Sequence, residues 1–179
     1  MSKAAGAAEV CTRKMKRGEH GWLGLVRHES KWELVPLHTR PSEGGDSSPG
    51  LCAVESPWED VALQGKALRK GPVDGVALDV DDSTCRLPEK AKVLLGDKSW
   101  TFSVKGKSAV AATSGEAKLS FPLESDCWTV AWLGDLDGDM KPDLLVGRSG
   151  GGSVFALFLS SSQRAGVVGQ AASMSGPAD

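Results

Sequence analysis

Apolar residues recur at alternate positions in short runs along this chain, and the runs are broken by glycine, proline, serine and acidic residues. That period marks half-buried β-strands, because an amphipathic helix would return its apolar face every three or four residues. Gly21–Arg27 and Lys31–Leu37 form the first pair of runs, and His28-Glu29-Ser30 between them has the length and composition of a turn. In the second run Trp32, Leu34 and Pro36 alternate with Glu33, Val35 and Leu37. Pro36 argues for an edge strand, since proline has no N–H to give to a ladder. Lys92–Val104 predicts a second hairpin turning at Gly96-Asp97-Lys98, with Trp100, Phe102 and Val104 on one face. Ser108–Thr113 and Ala117–Phe121, around Ser114-Gly115-Glu116, predict a third. Between the first two hairpins, Val76, Leu78 and Val80 alternate with Ala77, Asp79 and Asp81, which reads as one more half-buried strand. Cys127–Leu133 and Leu144–Val146 flank an acidic loop, and Val154–Leu159 closes the sheet. The fold class expected is all-β: an antiparallel sandwich or partly closed barrel of hairpins.

The rest of the chain is less patterned. Residues 1–19 are small or charged and carry the basic cluster Arg13-Lys14-Met15-Lys16-Arg17, the composition of a solvated N-terminal arm or of a phosphate- or partner-binding patch. Pro41–Gly50 is the clearest loop, Trp58–Leu63 a short strand or helical turn, and Gly147–Ser153 a flexible glycine-rich turn. The expected organisation is an arm at 1–19, a single β domain at 20–162 and a polar tail at 163–179, with a weak strand at Gly166-Val167-Val168.

Composition narrows the functional classes. With 179 residues the chain can bury a substantial core, and a net charge of −2 gives no general pull toward nucleic acid or anionic membrane. No apolar run is long enough to span a bilayer. Cys11, Cys52, Cys85 and Cys127 contain no C-x-x-C pair, so zinc ribbons and dithiol redox motifs are disfavoured. In an oxidising compartment four cysteines allow three pairings, of which Cys11–Cys52 and Cys85–Cys127 is preferred because each closes a loop of moderate length. The alternative is four reduced thiols in a cytosolic protein. Met1–Gly6 has no apolar signal-peptide core, so the expectation is a chain that begins after a removed leader, with a cytosolic protein as the alternative.

The chemistry concentrates in Asp135-Leu136-Asp137-Gly138-Asp139-Met140-Lys141-Pro142-Asp143, with carboxylates at positions 1, 3, 5 and 9. Four negative charges this close repel and would splay the loop. A hard cation resolves the conflict, since Ca²⁺ takes six to eight oxygens at about 2.3–2.6 Å. The alternative is an acidic surface turn without metal. Asp79, Asp81 and Asp82 form a weaker second cluster with no turn glycine after it, and solvent exposure is the expectation there.

The loop resembles the Asp-x-Asp-x-Asp-Gly-x-x-Asp calcium loop of FG-GAP, VCBS and integrin-type β-propeller repeats. That resemblance implies a loop joining two strands, with propeller-blade-like geometry around it as one form of the fold. It also implies Ca²⁺ as cofactor, with side-chain ligation by Asp135, Asp137, Asp139 and Asp143 and with the carbonyl of Lys141 as a further ligand. The run Trp132–Asp139, Asp143-Leu144-Leu145 and Ala156–Ser161 is also similar to a group of uncharacterised secreted or periplasmic bacterial proteins sharing a GDLDGDGKPDLL…LFLSS signature. One position departs: the glycine usual at position 6 is Met140, where a positive φ strains any residue with a Cβ. A single copy of the loop excludes a full propeller of like blades.

No G-x-S-x-G, H-E-x-x-H or phosphate-cradling motif occurs, and His20, His28 and His38 sit in no recognisable catalytic arrangement. The six tryptophans include five inside strand patterns, Trp22, Trp32, Trp100, Trp128 and Trp132, which read as core; Trp58 is the best candidate for an exposed aromatic. The functional expectation is a non-catalytic, calcium-binding, periplasmic or secreted protein whose partner is another protein. The concrete form is an immunity or inhibitor protein that blocks a bacterial effector such as a cell-wall hydrolase. A cell-surface adhesion module and a carbohydrate-processing enzyme are the alternatives.

Overall fold

The computed structural model describes residues 8–12, 23–36, 38–41, 51–56, 62–63, 67–81, 83–123, 127–148 and 154–175. The basic cluster at 13–17, Trp22, Trp58 and most of the loops at 41–50 and 147–153 lie outside the described residues. The strands are β1 (Ala8–Thr12), β2 (Leu23–His28), β3 (Lys31–Pro36), β4 (His38–Pro41), β5 (Leu51–Ser56), β6 (Ala62–Leu63), β7 (Gly71–Val73), β8 (Gly75–Ala77), β9 (Lys90–Leu95), β10 (Lys98–Lys105), β11 (Ser108–Ala112), β12 (Leu119–Pro122), β13 (Val130–Gly134), β14 (Asp143–Arg148), β15 (Val154–Phe158) and β16 (Gln170–Ser175). A 3-10 turn at Ser160–Ser162 is the only helical element among the described residues, so none of them forms a helix that could cross a membrane. The fold is all-β and antiparallel, as the alternation predicts, and no sheet closes into a barrel.

Contacts divide the chain into two compact units, residues 1–72 and 73–179. In the first, β1-β5-β4 form one sheet and β6-β2-β3-β7 another. Leu25 sits opposite Leu34 in the β2–β3 hairpin and both are fully buried, while Glu29 and Ser30 make the turn. Arg27 lies over the Trp32 ring at 5.7 Å, a cation–π contact across the same hairpin. β3 is an inner strand rather than the edge that Pro36 suggested; the proline is its last residue, where a missing N–H interrupts least of the ladder. β1, β4 and β5 were not legible in the sequence, since AEVCT, HTRP and LCAVES lack an extended apolar alternation. β1 gives strand structure to part of the expected arm, and Cys11 and Cys52 stand directly opposite each other in the β1–β5 register.

The second unit holds the acidic loop. Its four-stranded sheet, β12-β11-β10-β9, faces a five-stranded sheet, β16-β15-β14-β13-β8, across one apolar core. Trp100, Phe102, Ala109, Ala111, Leu119 and Phe121 come from the first sheet, and Ala131, Leu133, Leu144, Val146, Ala156 and Phe158 from the second. Phe121 meets Phe102 at 6.4 Å and Phe158 edge-on at 6.2 Å, joining the two layers. Alternation puts Trp132, Leu145 and Leu157 on the other face of the five-stranded sheet, and they are buried too. A strand buried on both faces reads as a continuous apolar run, which is why Leu144-Leu145-Val146 shows no alternation.

The disulfide Cys85–Cys127, with Cα atoms 4.6 Å apart, ties the segment before β9 to the approach to β13. Trp128 N–H donates to the Cys85 carbonyl at 2.6 Å beside it. The final strand lies at Gln170–Ser175, beyond the expected Gly166–Val168. Those three residues instead bridge to Ser120, whose N–H donates to the Gly166 carbonyl and whose carbonyl accepts from Val168 N–H, both at 2.8 Å.

Candidate metal centre

The loop begins where two glycines let a tryptophan lie flat. Gly134 of β13 pairs with Gly75 of β8, and the Trp132 ring covers both. A Cβ at Gly75 would stand 2.1 Å from the ring, and one at Gly134 would stand 2.3 Å from the Asp74 carbonyl oxygen. The same Asp74 carbonyl accepts the Asp135 N–H at 2.8 Å, which fixes the first loop residue against the edge of the sheet. Across the loop, Gly134 is opposite Asp143, so β13 and β14 stay in register while residues 135–142 bulge between them.

Within the bulge the carboxylates organise the backbone. Asp135 Oδ1 accepts N–H groups from Gly138 at 2.7 Å and Asp139 at 3.1 Å, and its Oδ2 accepts from Met140 at 2.9 Å. Asp143 is fully buried; its Oδ2 accepts from Leu136 N–H and its Oδ1 from Ser160 N–H, each at 2.7 Å. It therefore ties the loop to the 3-10 turn that follows β15. Asp139 accepts the Ser160 hydroxyl at 2.9 and 3.0 Å through its two oxygens, and the Lys141 N–H at 2.9 Å. Asp137 accepts the Ser161 hydroxyl through Oδ2, whereas its Oδ1 is buried without a hydrogen-bond partner. Met140 takes φ 60°, the left-handed conformation expected where a glycine is usual, and is 55% exposed. The preceding turn residue, Gly138, supplies φ 81° without such strain.

Asp135, Asp137 and Asp143 each bring one carboxylate oxygen within 4.8 Å of the others, the one such group among the described residues. At that separation each pair of charges repels by about 3 kcal/mol at an effective dielectric constant of about 20. Burial pushes the Asp143 carboxyl well above its usual range, and the neighbouring Asp137 charge pushes it further; the two backbone N–H donors work the other way. Burial also raises Asp137, joined by the charges of Asp139 and Asp135, with the Ser161 hydroxyl opposing. Both shifts make the charged form costlier than for an ordinary carboxyl, a cost that a bound cation would offset. The trio can hold a metal ion.

Of the five residues expected as ligands, three converge. Asp139 lies outside the trio, held by Ser160. No described residue donates a hydrogen bond to the Lys141 carbonyl. Ser160 and Ser161 end the run that carries the resemblance, but their separation from the loop residues they meet, 17 to 24 positions, gave no sign that they would reach it. Of the second acidic cluster, Asp82 lies outside the described residues, and Asp79 and Asp81 belong to no metal-holding group among the described ones. Asp79 and Asp81 are exposed, and Asp81 accepts from Ser83 N–H at 2.9 Å, Ser83 Oγ at 2.6 Å and Thr84 Oγ1 at 2.7 Å. Those bonds, the Ser83 hydroxyl first, hold its carboxyl at about 2 and cap a local turn. Trp32, Trp100, Trp128 and Trp132 are all buried, as core residues should be. No family model, curated protein or solved structure matches this chain, so its functional reading rests on the loop's geometry and donor chemistry.

Proposed function

We propose that the loop binds Ca²⁺ and that the protein is a non-catalytic, calcium-stapled β-protein acting outside the cytoplasm on a protein partner. The observation that carries this is the convergence of Asp135, Asp137 and Asp143 within 4.8 Å on a loop that joins two paired strands. All the donors are hard oxygens, the set that suits calcium over thiolate- or imidazole-seeking metals. The buried, unpartnered oxygen of Asp137 is what a cation at the centre of the trio would satisfy. Three carboxylates with the Lys141 carbonyl occupy much of the ion's coordination shell, which favours a structural ion over one that activates substrate. The disulfide Cys85–Cys127 supports an oxidising compartment.

The partner proposed is a secreted effector such as a cell-wall hydrolase, with this chain as its inhibitor or immunity protein. The test is to purify the chain with the product of the adjacent reading frame and measure that product's hydrolytic activity alone and in the mixture. A complex that suppresses the activity in calcium supports the reading; two proteins that elute separately, with activity unchanged, contradict it.

A further inference from the structure

The four-stranded sheet of the second unit has one closed edge and one open one. At β12 the segment Gly166–Val168 bonds to Ser120 and covers the edge. At β9 no strand follows among the described residues. The phase of the β9–β10 ladder shows which groups face outward: Val104 N–H donates to the Glu89 carbonyl at 3.1 Å, and register pairs Lys90 with Ser103, Lys92 with Thr101 and Leu94 with Ser99. Hydrogen-bonded and non-hydrogen-bonded pairs alternate in an antiparallel ladder, so Lys90, Lys92 and Leu94 turn their N–H and C=O away from β10. No described residue takes them up. The same three side chains stand exposed on the outer face, with Leu94 at 64% the most exposed large apolar residue among those described.

Charge distinguishes this edge further. Strands β9 to β12 contain Lys90, Lys92, Lys98 and Lys105 and no Asp or Glu. Of these only Lys98 is paired, with Glu116. A chain of net charge −2 therefore presents two unpaired ammonium groups, Lys90 and Lys92, beside free backbone donors and acceptors, with Glu89 the one acid next to them in sequence.

We propose that the open edge of β9 is a docking site for an extended acidic strand of a partner protein. An added antiparallel strand would bond to the free N–H and C=O groups of Lys90, Lys92 and Leu94. Its residues directly opposite those three would project on the same outer face. Alternate residues of both strands repeat every ~6.8 Å, so two carboxylates spaced i, i+2 match Lys92 and Lys90 in turn. The complementary sequence, read from its N-terminus, is apolar-x-acid-x-acid, with the apolar residue beside Leu94. The inference gives a place and a chemistry to the protein-binding reading above, and it stands apart from the calcium loop because none of its groups belongs to that loop.

Lysines on an edge also deter unwanted pairing between sheets, and the test separates that role from recognition. A fluorescent peptide Val-Thr-Glu-Thr-Glu-Thr and an isomer with its two glutamates adjacent are titrated against the whole chain by anisotropy, in calcium and in EDTA. Amide exchange is followed on the complex. The expected result is binding of the alternating peptide about tenfold or more tighter than of the isomer. That binding weakens with salt, is alike in calcium and chelator, and slows exchange at Lys90, Lys92 and Leu94. Lys90→Glu with Lys92→Glu, melting as the wild type does, should abolish the preference, and Leu94→Ser should weaken binding without removing it. Equal binding of the two peptides, no binding of either, or protection that falls elsewhere overturns the proposal. Binding lost only in EDTA would tie it to the metal loop and overturn its independence, whereas a loop that fails to bind calcium leaves this result unchanged.

Discussion

Two hairpins of the second unit, β9–β10 and β13–β14, solve the same problem in opposite ways. The first reverses in two residues, Gly96 and Asp97, with Gly96 at φ 59° supplying the left-handed conformation at no steric cost. The second spreads its reversal over residues 135–142, loads it with carboxylates and places Met140 at φ 60°, where a side chain is strained. A short turn is closed by backbone chemistry alone. The long one is closed by Asp135 and Asp143 collecting N–H groups, and the charges that do this repel one another. The strain and the repulsion sit together in the one hairpin for which a cation is proposed, and the Met140 sulfur lies 3.5 Å from where a Cβ on Gly96 would stand.

The largest test of that contrast is Asp143→Ala. It leaves the buried N–H groups of Leu136 and Ser160 without acceptors, each costing about 1–3 kcal/mol. Urea unfolding should show a loss of about 2–5 kcal/mol. Asp143→Asn keeps an acceptor while removing the charge, so it should cost less in chelator yet remove most of the response to calcium. No loss for either variant in chelator would assign Asp143 to the ion alone.

Titration comes next. In the metal-free protein Asp143 and Asp137 have raised carboxyls, so the folded state binds more protons than the unfolded state. Their contribution to stability is then full below the ordinary carboxylate range and is lost as pH rises through their raised values. In chelator the melting temperature should fall as pH climbs from about 4 toward neutrality, and calcium should flatten or reverse the fall, since the ion needs both groups ionised. A melting temperature that rises with pH in chelator would contradict the repulsion argued here.

The smallest effects separate the two turns directly. Gly96→Ala places a Cβ at φ 59° and should cost about 1 kcal/mol equally with and without calcium. Met140→Gly relieves the same strain in the acidic loop and should gain about 0.5–1 kcal/mol, with tighter calcium binding by calorimetry. A calcium-dependent cost at Gly96, or no gain at Met140, would blur the distinction between the hairpins.

Much of this unit was legible from sequence because its signals are local. Gly96-Asp97 between alternating runs fixes the β9–β10 register, and Trp100 and Phe102 fall on the buried face as alternation requires. The loop's carboxylates were legible through their spacing, and the left-handed Met140 through its place where glycine is usual. What stayed hidden depends on distant chain. Asp143 reads as one acid among four, yet it is the buried one, because Ser160 comes back to it from the far end of β15. Asp139 leaves the trio for the same reason. Strands β1, β5 and β16 pair without a clean alternation of their own, so only their partners define them.

The most direct test of the central claim is the thermal unfolding of the whole chain in millimolar calcium and in chelator. An ion that binds the folded loop at about a hundred times its Kd adds about 2.7 kcal/mol, which for a chain of this size raises the melting temperature by about 5–10 °C. The account predicts that rise for the wild type and its loss in Asp137→Ala. Superimposable melting curves for the wild type in the two conditions would contradict it.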